Sequence, residues 1–324
     1  MAKVDVIVPC YNYARFLERC VRSVLNQSVK DVRVLIIDDA SSDDSLLVAG
    51  KLAQADPRVT VVAHAENKGH IDTYNEGIAW LSAEYCLLLS ADDLLVPGAL
   101  ERAVEVMDAN PDVVLTHGQG VWWHDHLQIP DIDPVQKYTW ERHDLLKQLC
   151  VTAKNIWTPT VIARTKTQKT VGGYRASLPH SGDMEMWLRF AANGSVAFIN
   201  AVQAIYRTHS AQMSNAYSTD RMRDFWQTKL AFDSFFDEYE NSLNNSRSLR
   251  IVARRALARR IFVCGIELLV RRRLNDGRRL IRASMDMDPR LRYRPPVLWI
   301  LLKVASKVMA NSVKAVSDLH NRAH

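Results

Sequence analysis

Short apolar runs rich in β-branched residues alternate with amphipathic stretches over the first hundred residues, and this alternation constrains the fold more than any other feature. The apolar runs predict strands, and the stretches between them, with apolar residues at helical spacing, predict helices. Strands are predicted at 4–8, 32–37, 59–62 and 86–89, and helices at 14–27, 45–55 and 71–83. Since parallel neighbouring strands need crossover helices, the pattern predicts an α/β fold with a mostly parallel central sheet.

Polar side chains follow three of the predicted strands. These clusters are Tyr11 with Asn12, Asp38 with Asp39, and Asp92 with Asp93. Ligands of open α/β sheets bind at the carboxyl ends of the strands. We therefore expect the three clusters to meet in one crevice.

The Asp92-Asp93 pair is the central candidate for chemistry. Adjacent carboxylates raise each other's pKa unless a cation or hydrogen-bond donors offset their charge, and Mg²⁺ or Mn²⁺ is commonly shared between carboxylates and substrate phosphates. Taken alone, the pair is better explained as a helix N-cap beside a solvent-facing acid, and Asp38-Asp39 alone is equally weak evidence.

Several nucleotide-using classes are disfavoured by the absence of their motifs. The dinucleotide fingerprint G-x-G-x-x-G does not follow the first strand, where Pro9-Cys10-Tyr11-Asn12 stands instead. The phosphate-binding loop G-x-x-x-x-G-K-[ST] and the nucleophile motif G-x-S-x-G are also missing. NAD chemistry and P-loop kinases and ATPases are therefore disfavoured.

A series of motifs, taken together and in order, resembles the family 2 glycosyltransferases. They are the runs 6–12, 23–27, 36–43, 67–69, 75–77, 88–93, 172–174, 182–189 and 206–214, about two thirds of the chain in extent. The resemblance implies a GT-A fold, which is a nucleotide-binding α/β sandwich, at 1–217. A basic α-helical C-terminal region follows at 218–324. Within the first of these domains, the stretch 118–138 is predicted to be a loop-rich insertion or flap.

The resemblance also implies residues that bind a nucleotide-diphosphate sugar. Tyr11, with Pro9 beside it, would stack on the donor base. Asp39, with Asp38 beside it, would hydrogen-bond the base or ribose, which suits a UDP or dTDP donor. Lys68 would lie near the pocket wall or the diphosphate, although a role in forming the turn is equally expected.

The same resemblance implies a site for Mn²⁺ or Mg²⁺. Asp92 and Asp93 match the metal and ribose motif, and His209 and Arg207 would approach the metal or the diphosphate. Ser90 stands where the family often has a further Asp, which makes Asp93 the stronger metal ligand of the two.

Asp183 matches the catalytic base of the family. It would remove the proton of an acceptor hydroxyl in an inverting single displacement. Its position before a helical run also fits an N-cap, and one residue can serve both roles. Trp122 and Trp123 would either line an acceptor site or belong to the core.

Charge divides the chain unevenly. Residues 247–324 carry 19 Lys and Arg against 5 Asp and Glu, a net charge of +14, whereas residues 1–246 carry −8. Cationic amphipathic helices, including an apolar one at 297–309, favour peripheral membrane contact slightly over packing on the catalytic domain or on a second subunit. No basic motif interleaved with aromatics indicates nucleic-acid binding. Scattered, unpaired cysteines and the lack of an apolar signal region favour the cytoplasm, including the inner face of the cytoplasmic membrane.

Two other functions compete with a transferase. A non-catalytic nucleotide-sugar-binding scaffold would keep Tyr11 and Asp39 but lack a base or metal site. A nucleotidyltransferase would show a Gly-rich basic loop after the first strand, which this chain lacks. By family analogy we expect a glycan or lipid-linked acceptor in bacterial surface polysaccharide or lipopolysaccharide assembly, and we leave homo-oligomerisation open.

Overall fold

The computed structural model describes residues 2–213 and 220–296. The chain divides into two compact units, Met1–Leu149 with Lys154–Asn244, and Cys150–Ala153 with Asn245–His324. This division falls in the polar segment 241–248. The predicted domain boundary at 217/218 lies outside the described residues and stays a prediction.

One sheet holds the nine strands found in the described part of the chain. They are β1 (Val4–Cys10), β2 (Val32–Asp38), β3 (Val59–Ala63), β4 (Tyr85–Leu88), β5 (Leu94–Leu95), β6 (Val113–His124), β7 (Trp140–His143), β8 (Ile162–Arg164) and β9 (Ser195–Thr208). Their order is β3-β2-β1-β4-β8-β6-β9-β5, and β7 pairs with β9. The β3-β2-β1-β4 half is parallel, as predicted, whereas the other half is mixed and joins β6 to β9 in parallel.

Ten α-helices are described in the same residues. They are α1 (Ala14–Leu25), α2 (Ser45–Ala55), α3 (His70–Trp80), α4 (Ala99–Ala109), α5 (Leu145–Thr152), α6 (Thr165–Val171), α7 (Gly182–Asn193), α8 (Arg221–Tyr239), α9 (Ser246–Val270) and α10 (Leu274–Met287). All strands and helices predicted for the first hundred residues are present.

The alternation of side chains along β1 explains how the sheet is covered on both faces. Val4, Val6 and Val8 point to one face and join the main hydrophobic core with the apolar side of α1. Ile7 points to the other face, where α3 lies close. A Cβ at Gly77 of α3 would lie 2.4 Å from Ile7 Cγ2, so this helix approaches the strand only because it has glycine there.

The predicted flap at 118–138 is wrong over residues 118–124, which form the second half of β6. This half pairs with β9 through register shifts on both sides of Gln119, so it does not keep a regular strand pattern. Gly118 is required at this irregularity, because a Cβ there would lie 2.5 Å from Gln203 Cγ. The loop was predicted from the mixture of tryptophan, histidine and proline in this stretch, and an irregular strand has no local periodicity that would have revealed it.

The second unit contains the basic helices α9 and α10, which meet at a pair of glycines. A Cβ on Gly265 would lie 3.0 Å from the Gly277 carbonyl oxygen, and one on Gly277 would lie 2.8 Å from the Gly265 oxygen. Ala258, Phe262 and Leu291 form a small core in this unit. No helix of the described residues is long and apolar enough to cross a membrane. The helix predicted at 297–309 lies outside the described residues.

Candidate active site

A pocket of about 540 Å³ opens at the carboxyl ends of β1, β2 and β4, where the sequence placed its three polar clusters. Pro9 lies near the end of β1 and Tyr11 follows it, Asp39 follows β2, and Asp92 with Asp93 follows β4; all five line the pocket. Tyr11 is 48% exposed, so its ring is accessible for stacking. The expected meeting of the three clusters is therefore observed.

Asp39 is held by three hydrogen bonds from the loop that follows β3. Its Oδ1 accepts from His64 Nδ1 at 2.7 Å and from the Lys68 backbone N–H at 2.8 Å, and its Oδ2 accepts from the Gly69 N–H at 2.9 Å. Burial opposes ionisation, but these donors stabilise the carboxylate and hold the pKa of Asp39 below its ordinary value. Asp39 is thus a fixed anion at the pocket wall.

Asp38 and Lys68 do not line the pocket with Asp39. Asp38 is buried, its Oδ2 accepts from the Ser41 N–H at 3.1 Å, and its Oδ1 has no hydrogen-bond donor among the described residues. The Lys68 ammonium instead lies 3.2 Å from Glu76 Oε2, and His64 Nε2 lies 3.0 Å from the same oxygen. The contribution of Lys68 to this wall comes from its backbone, as the turn-forming alternative predicted.

Asp92 and Asp93 are both buried and are fixed by residues that follow or end β9. Asp93 Oδ1 accepts from the Arg207 backbone N–H at 3.0 Å, and Arg207 Nε donates to the Asp92 carbonyl at 2.8 Å. Asp92 Oδ2 lies 3.0 Å from His209 Nε2. Burial, with Asp92 beside it, raises the pKa of Asp93 well above its ordinary value.

Arg207 does not line the pocket. Its guanidinium lies between the rings of Phe16 and Trp123, at 4.4 and 4.2 Å from the ring centroids. Burial lowers the pKa of Arg207 from its ordinary value. Arg207 therefore contacts the acidic pair from behind, and Trp123 belongs to the core beneath it.

The donor chemistry of the acidic pair fits a divalent cation. Mg²⁺ and Mn²⁺ take oxygen ligands and are commonly bound by one or two carboxylates together with substrate phosphates. Asp92 and Asp93 supply two such carboxylates in the pocket, and burial together with the neighbouring Asp92 raises the pKa of Asp93, so a bound cation would stabilise its ionised form. No group of three or more such ligands is found in the described residues, so the pair would need substrate oxygens to complete the shell.

Asp183 occupies the first turn of α7, beside the pocket and not among its lining residues. The Thr158 hydroxyl donates to its Oδ2 at 3.0 Å, and the Tyr174 hydroxyl donates to it as well. Burial nevertheless raises the pKa of Asp183 above its ordinary value. The N-cap residue of α7 is Ser181, so Asp183 lies inside the first turn and is not the N-cap of this helix.

Helix α3 connects Asp183 to the pocket. His70 and Tyr74 line the pocket; His70 Nε2 lies 2.8 Å from the Pro179 carbonyl, and the Tyr74 ring lies 5.2 Å from that of Tyr174. Asn75 receives a hydrogen bond from the Tyr174 N–H at 2.6 Å and donates one to its carbonyl at 3.0 Å. The helix thus fixes the segment that carries Asp183 against the pocket wall.

Several pocket residues were missed from the sequence. They are Tyr13, His70, Thr73, Tyr74 and Tyr206 in the lining, and His64 behind Asp39. Tyr206, and Asn75 of α3, lay inside motifs of the resemblance without an assigned role. His64 carried no motif signal, because its function depends on a strand-end position next to Asp39 that only the pairing of β2 and β3 creates.

Comparison with known proteins agrees with the motifs. Residues 5–160 match the model of the family described as Glycosyl transferase family 2. An uncharacterized glycosyltransferase of Rickettsia typhi is 27% identical over 218 residues, which cover 65% of this chain and 66% of that protein. The matched region thus spans just under two thirds of the length of that relative.

Solved structures share the fold. TarS residues 1–349 from S. aureus, in complex with UDP-GlcNAc, has a TM-score of 0.61 at 18% identity, covering 79% of this chain and 71% of that chain. The mannosyltransferase PcManGT from Pyrobaculum calidifontis, in complex with GDP-Man and Mn²⁺, has a TM-score of 0.54 at 16% identity, covering 98% and 87%. At these identities the likeness shows the fold, which is the GT-A type expected from the motifs.

Proposed function

We propose that this chain, whose resemblance to the family 2 glycosyltransferases is confirmed over residues 5–160, is an inverting glycosyltransferase that takes its sugar from a UDP- or dTDP-linked donor. The observation that carries the proposal is the position of Asp183. This carboxylate, with a raised pKa, is fixed by α3 beside a pocket that is lined by an aromatic ring and by acids at strand ends.

The hydrogen bonds of Asp39 support a pyrimidine base. A carboxylate offers about four acceptor positions, and His64, Lys68 and Gly69 use both of those on Oδ1 and one on Oδ2. One acceptor position is left for the base. Uracil and thymine present a single N–H on their pairing edge, whereas guanine presents two neighbouring donors that ask for both carboxylate oxygens.

The transfer step needs one base. Asp183 accepts the proton of the acceptor hydroxyl, whose oxygen forms a bond to the anomeric carbon of the donor. The bond from that carbon to the diphosphate oxygen breaks, and its electron pair leaves with the nucleoside diphosphate. A single displacement inverts the anomeric configuration, and general-base assistance of this kind contributes roughly 10²–10⁴-fold.

Asp92 and Asp93 would hold Mg²⁺ or Mn²⁺, which supplies Lewis-acid stabilisation of charge on phosphate oxygens. His209 and Arg207 orient the two carboxylates, through Asp92 Oδ2 and the Asp93 Oδ1 contact. We therefore assign them positioning roles in this arrangement, in place of the direct metal or diphosphate contact implied by the resemblance.

The basic C-terminal unit supports an acceptor presented at a membrane surface. Residues 245–296 carry 15 arginines against four acidic residues. Anionic lipid attracts such segments. We place the enzyme in the cytoplasm at the inner face of the cytoplasmic membrane, acting on a lipid-linked or glycan acceptor of bacterial surface polysaccharide or lipopolysaccharide.

Donor binding and turnover test the assignment. The full chain is titrated with UDP, dTDP and GDP in the presence of Mn²⁺, Mg²⁺ or chelator, and hydrolysis of the corresponding nucleotide sugars is followed. We expect metal-dependent binding of UDP or dTDP, and Asp183→Asn is expected to lower turnover by roughly 10²–10⁴-fold with nucleotide binding retained. Asp72→Asn, which changes an exposed acid of α3, is the control.

Each part of the proposal has an opposing result. Full turnover in Asp183→Asn would mean that Asp183 is not the catalytic base. Nucleotide-sugar binding without turnover of any donor would favour the non-catalytic scaffold. Preferred binding of GDP would contradict the pyrimidine nucleobase that we inferred from the hydrogen bonds of Asp39.

A further inference from the structure

Three aromatic side chains form a cluster beside the pocket. The ring of Trp122 lies 4.9 Å from that of Trp157 and 4.7 Å from that of Tyr206, and Trp157 and Tyr206 are 6.3 Å apart. Trp122 is 59% exposed, whereas its neighbour Trp123 on the same strand is only 4% exposed. Tryptophan and tyrosine are enriched at interaction surfaces, because each combines a large apolar ring with one polar group.

The backbone builds this cluster. Trp122 of β6 and Tyr206 of β9 are directly paired in the parallel ladder, so their side chains lie on the same face. Trp157 reaches them by packing on Gly120, where a Cβ would lie 2.5 Å from its ring. The three rings are thus fixed by strand register and by a glycine, which leaves little conformational entropy to lose on binding.

The cluster lies next to both parts of the proposed reaction centre. Tyr206 lines the pocket that contains Asp92 and Asp93. Thr158, which follows Trp157 in the chain, donates its hydroxyl to Asp183 Oδ2 at 3.0 Å. A molecule resting on these rings therefore has its nearest polar edge close to the base and to the donor pocket.

We propose that Trp122, Trp157 and Tyr206 form a platform for a sugar ring of the acceptor, an inference that rests on the proposed transferase function. A pyranose has an apolar C–H face and polar hydroxyls at its edge. An exposed indole offers a wide apolar surface for that face, and the edge hydroxyls remain free to reach Asp183. The acceptor class is then a saccharide end, and an acceptor without a sugar ring does not fit this site.

Fluorine NMR of the full chain tests the platform directly. The eight tryptophans are replaced by 5-fluorotryptophan, and Trp122→Phe and Trp226→Phe assign two resonances. Trp226 is the matched control, because it is 56% exposed and lies on α8. Methyl glycosides of glucose, galactose, N-acetylglucosamine and N-acetylgalactosamine are added in the presence of UDP, with glycerol as a polyol without a ring.

We expect at least one glycoside to shift the Trp122 resonance while the Trp226 resonance stays in place and glycerol has no effect. Trp122→Ala is then expected to raise the apparent Kd for that glycoside by about tenfold or more, whereas Trp226→Ala leaves it unchanged. If no glycoside shifts the Trp122 resonance, or if the two alanine variants behave alike, the platform is overturned.

The test separates this inference from the function on which it rests. If the chain turns over nucleotide sugars but Trp122 does not respond to glycosides, the transferase stands and the platform falls. If glycosides shift Trp122 in a protein that binds no nucleotide, the transferase falls and the rings remain a carbohydrate-binding site.

Discussion

Three aspartates of identical chemistry are set to different tasks by the atoms around them. Asp39 receives three donors and has a lowered pKa, whereas Asp93 and Asp183 have raised pKa values because burial dominates. A low pKa suits a permanent hydrogen-bond acceptor such as Asp39, and a raised pKa suits the proposed proton acceptor Asp183, whereas Asp93 is the proposed ligand of a cation that would keep it ionised. The surroundings of each aspartate therefore set its pKa and the role that we propose for it.

Thr158 tunes the proposed base, and its removal has a predictable sign. The base works only when ionised, so activity is lost as pH falls through the pKa of Asp183. The Thr158 hydroxyl stabilises the carboxylate and lowers that pKa. Thr158→Val should therefore move the acidic limb of the kcat/KM profile to higher pH, while Thr158→Ser should leave it near that of the parent. An unmoved limb in the valine variant would mean that Asp183 is not the group that titrates.

His64 is expected to act through Asp39. Substitution by asparagine or by glutamine distinguishes the contributions of its two ring nitrogens. Asparagine can reproduce the Nδ1 donor to Asp39, whereas glutamine can reproduce the Nε2 contact to Glu76. Losing a hydrogen bond to a charged acceptor costs about 1.5 kcal/mol, roughly tenfold in affinity. We expect His64→Gln to weaken UDP binding by about that factor, and His64→Asn to weaken it less, by calorimetry. Equal losses in both variants would indicate a purely structural histidine.

At this scale the sequence predicted residues whose placement follows from a strand end. Pro9, Tyr11, Asp39, Asp92 and Asp93 reach the pocket because the sheet delivers them there. Long side chains were harder to place, because they can turn toward any partner within their reach. Lys68 turns to Glu76, and Arg207 turns inward between Phe16 and Trp123, which are both distant from it in the sequence.

Among the elements, the paired strands β6 and β9 organise the half of the sheet that the sequence described least well. The N-terminal half follows a regular strand–helix alternation and was predicted in order. In the other half, β6 is irregular on both sides of Gln119, and β9 runs for 14 residues beside it. Local periodicity cannot reveal such a pair, since its stability comes from contacts between segments about 80 residues apart in the chain.

Gly120 should be far less replaceable than a glycine in open space. A Cβ at Gly120 would lie 2.5 Å from the Trp157 ring, whereas one at Gly50 of α2 meets nothing within 4 Å. Gly120→Ala is expected to lower the free energy of unfolding by about 1–3 kcal/mol, as overpacking does. Gly50→Ala, in a helix interior, is expected to raise it by about 0.5–1 kcal/mol. Urea denaturation followed by circular dichroism measures both, and a neutral Gly120→Ala would show that Trp157 moves without cost.

At the scale of the whole molecule, the sequence alone is enough to establish that charge is distributed unequally along the chain. The net charge of −8 over residues 1–246 and +14 beyond them follows from counting. The sequence could not establish how the basic arginines are used, because exposure depends on packing. In α10, Arg278, Arg279 and Arg282 are all exposed and so are available to an anionic surface.

Anionic vesicles test this use of the C-terminal unit. The full chain should sediment with phosphatidylglycerol vesicles and not with phosphatidylcholine, and should be released by salt. Each basic residue near such a surface contributes about 1 kcal/mol, so Arg278→Gln with Arg279→Gln and Arg282→Gln should weaken binding roughly a hundredfold. The matched triple Lys147→Gln, Lys166→Gln and Lys169→Gln removes exposed charge from the other unit. If both triple variants lose vesicle binding equally, binding depends on net charge alone and not on the arginines of α10.

The end of β9 presents two different chemical surfaces through neighbouring residues. Successive residues of a strand face opposite sides, and here Tyr206 faces the aromatic cluster while Arg207 faces the acids behind the pocket. Substitutions at alternate positions can therefore accumulate on the cluster side while the acidic side is inherited intact. On the proposed roles, substitutions at Trp122 and Trp157 would change the preference for an acceptor while the acidic pair is retained, whereas insertion of a single residue in β9 would exchange its two faces and disrupt both sites.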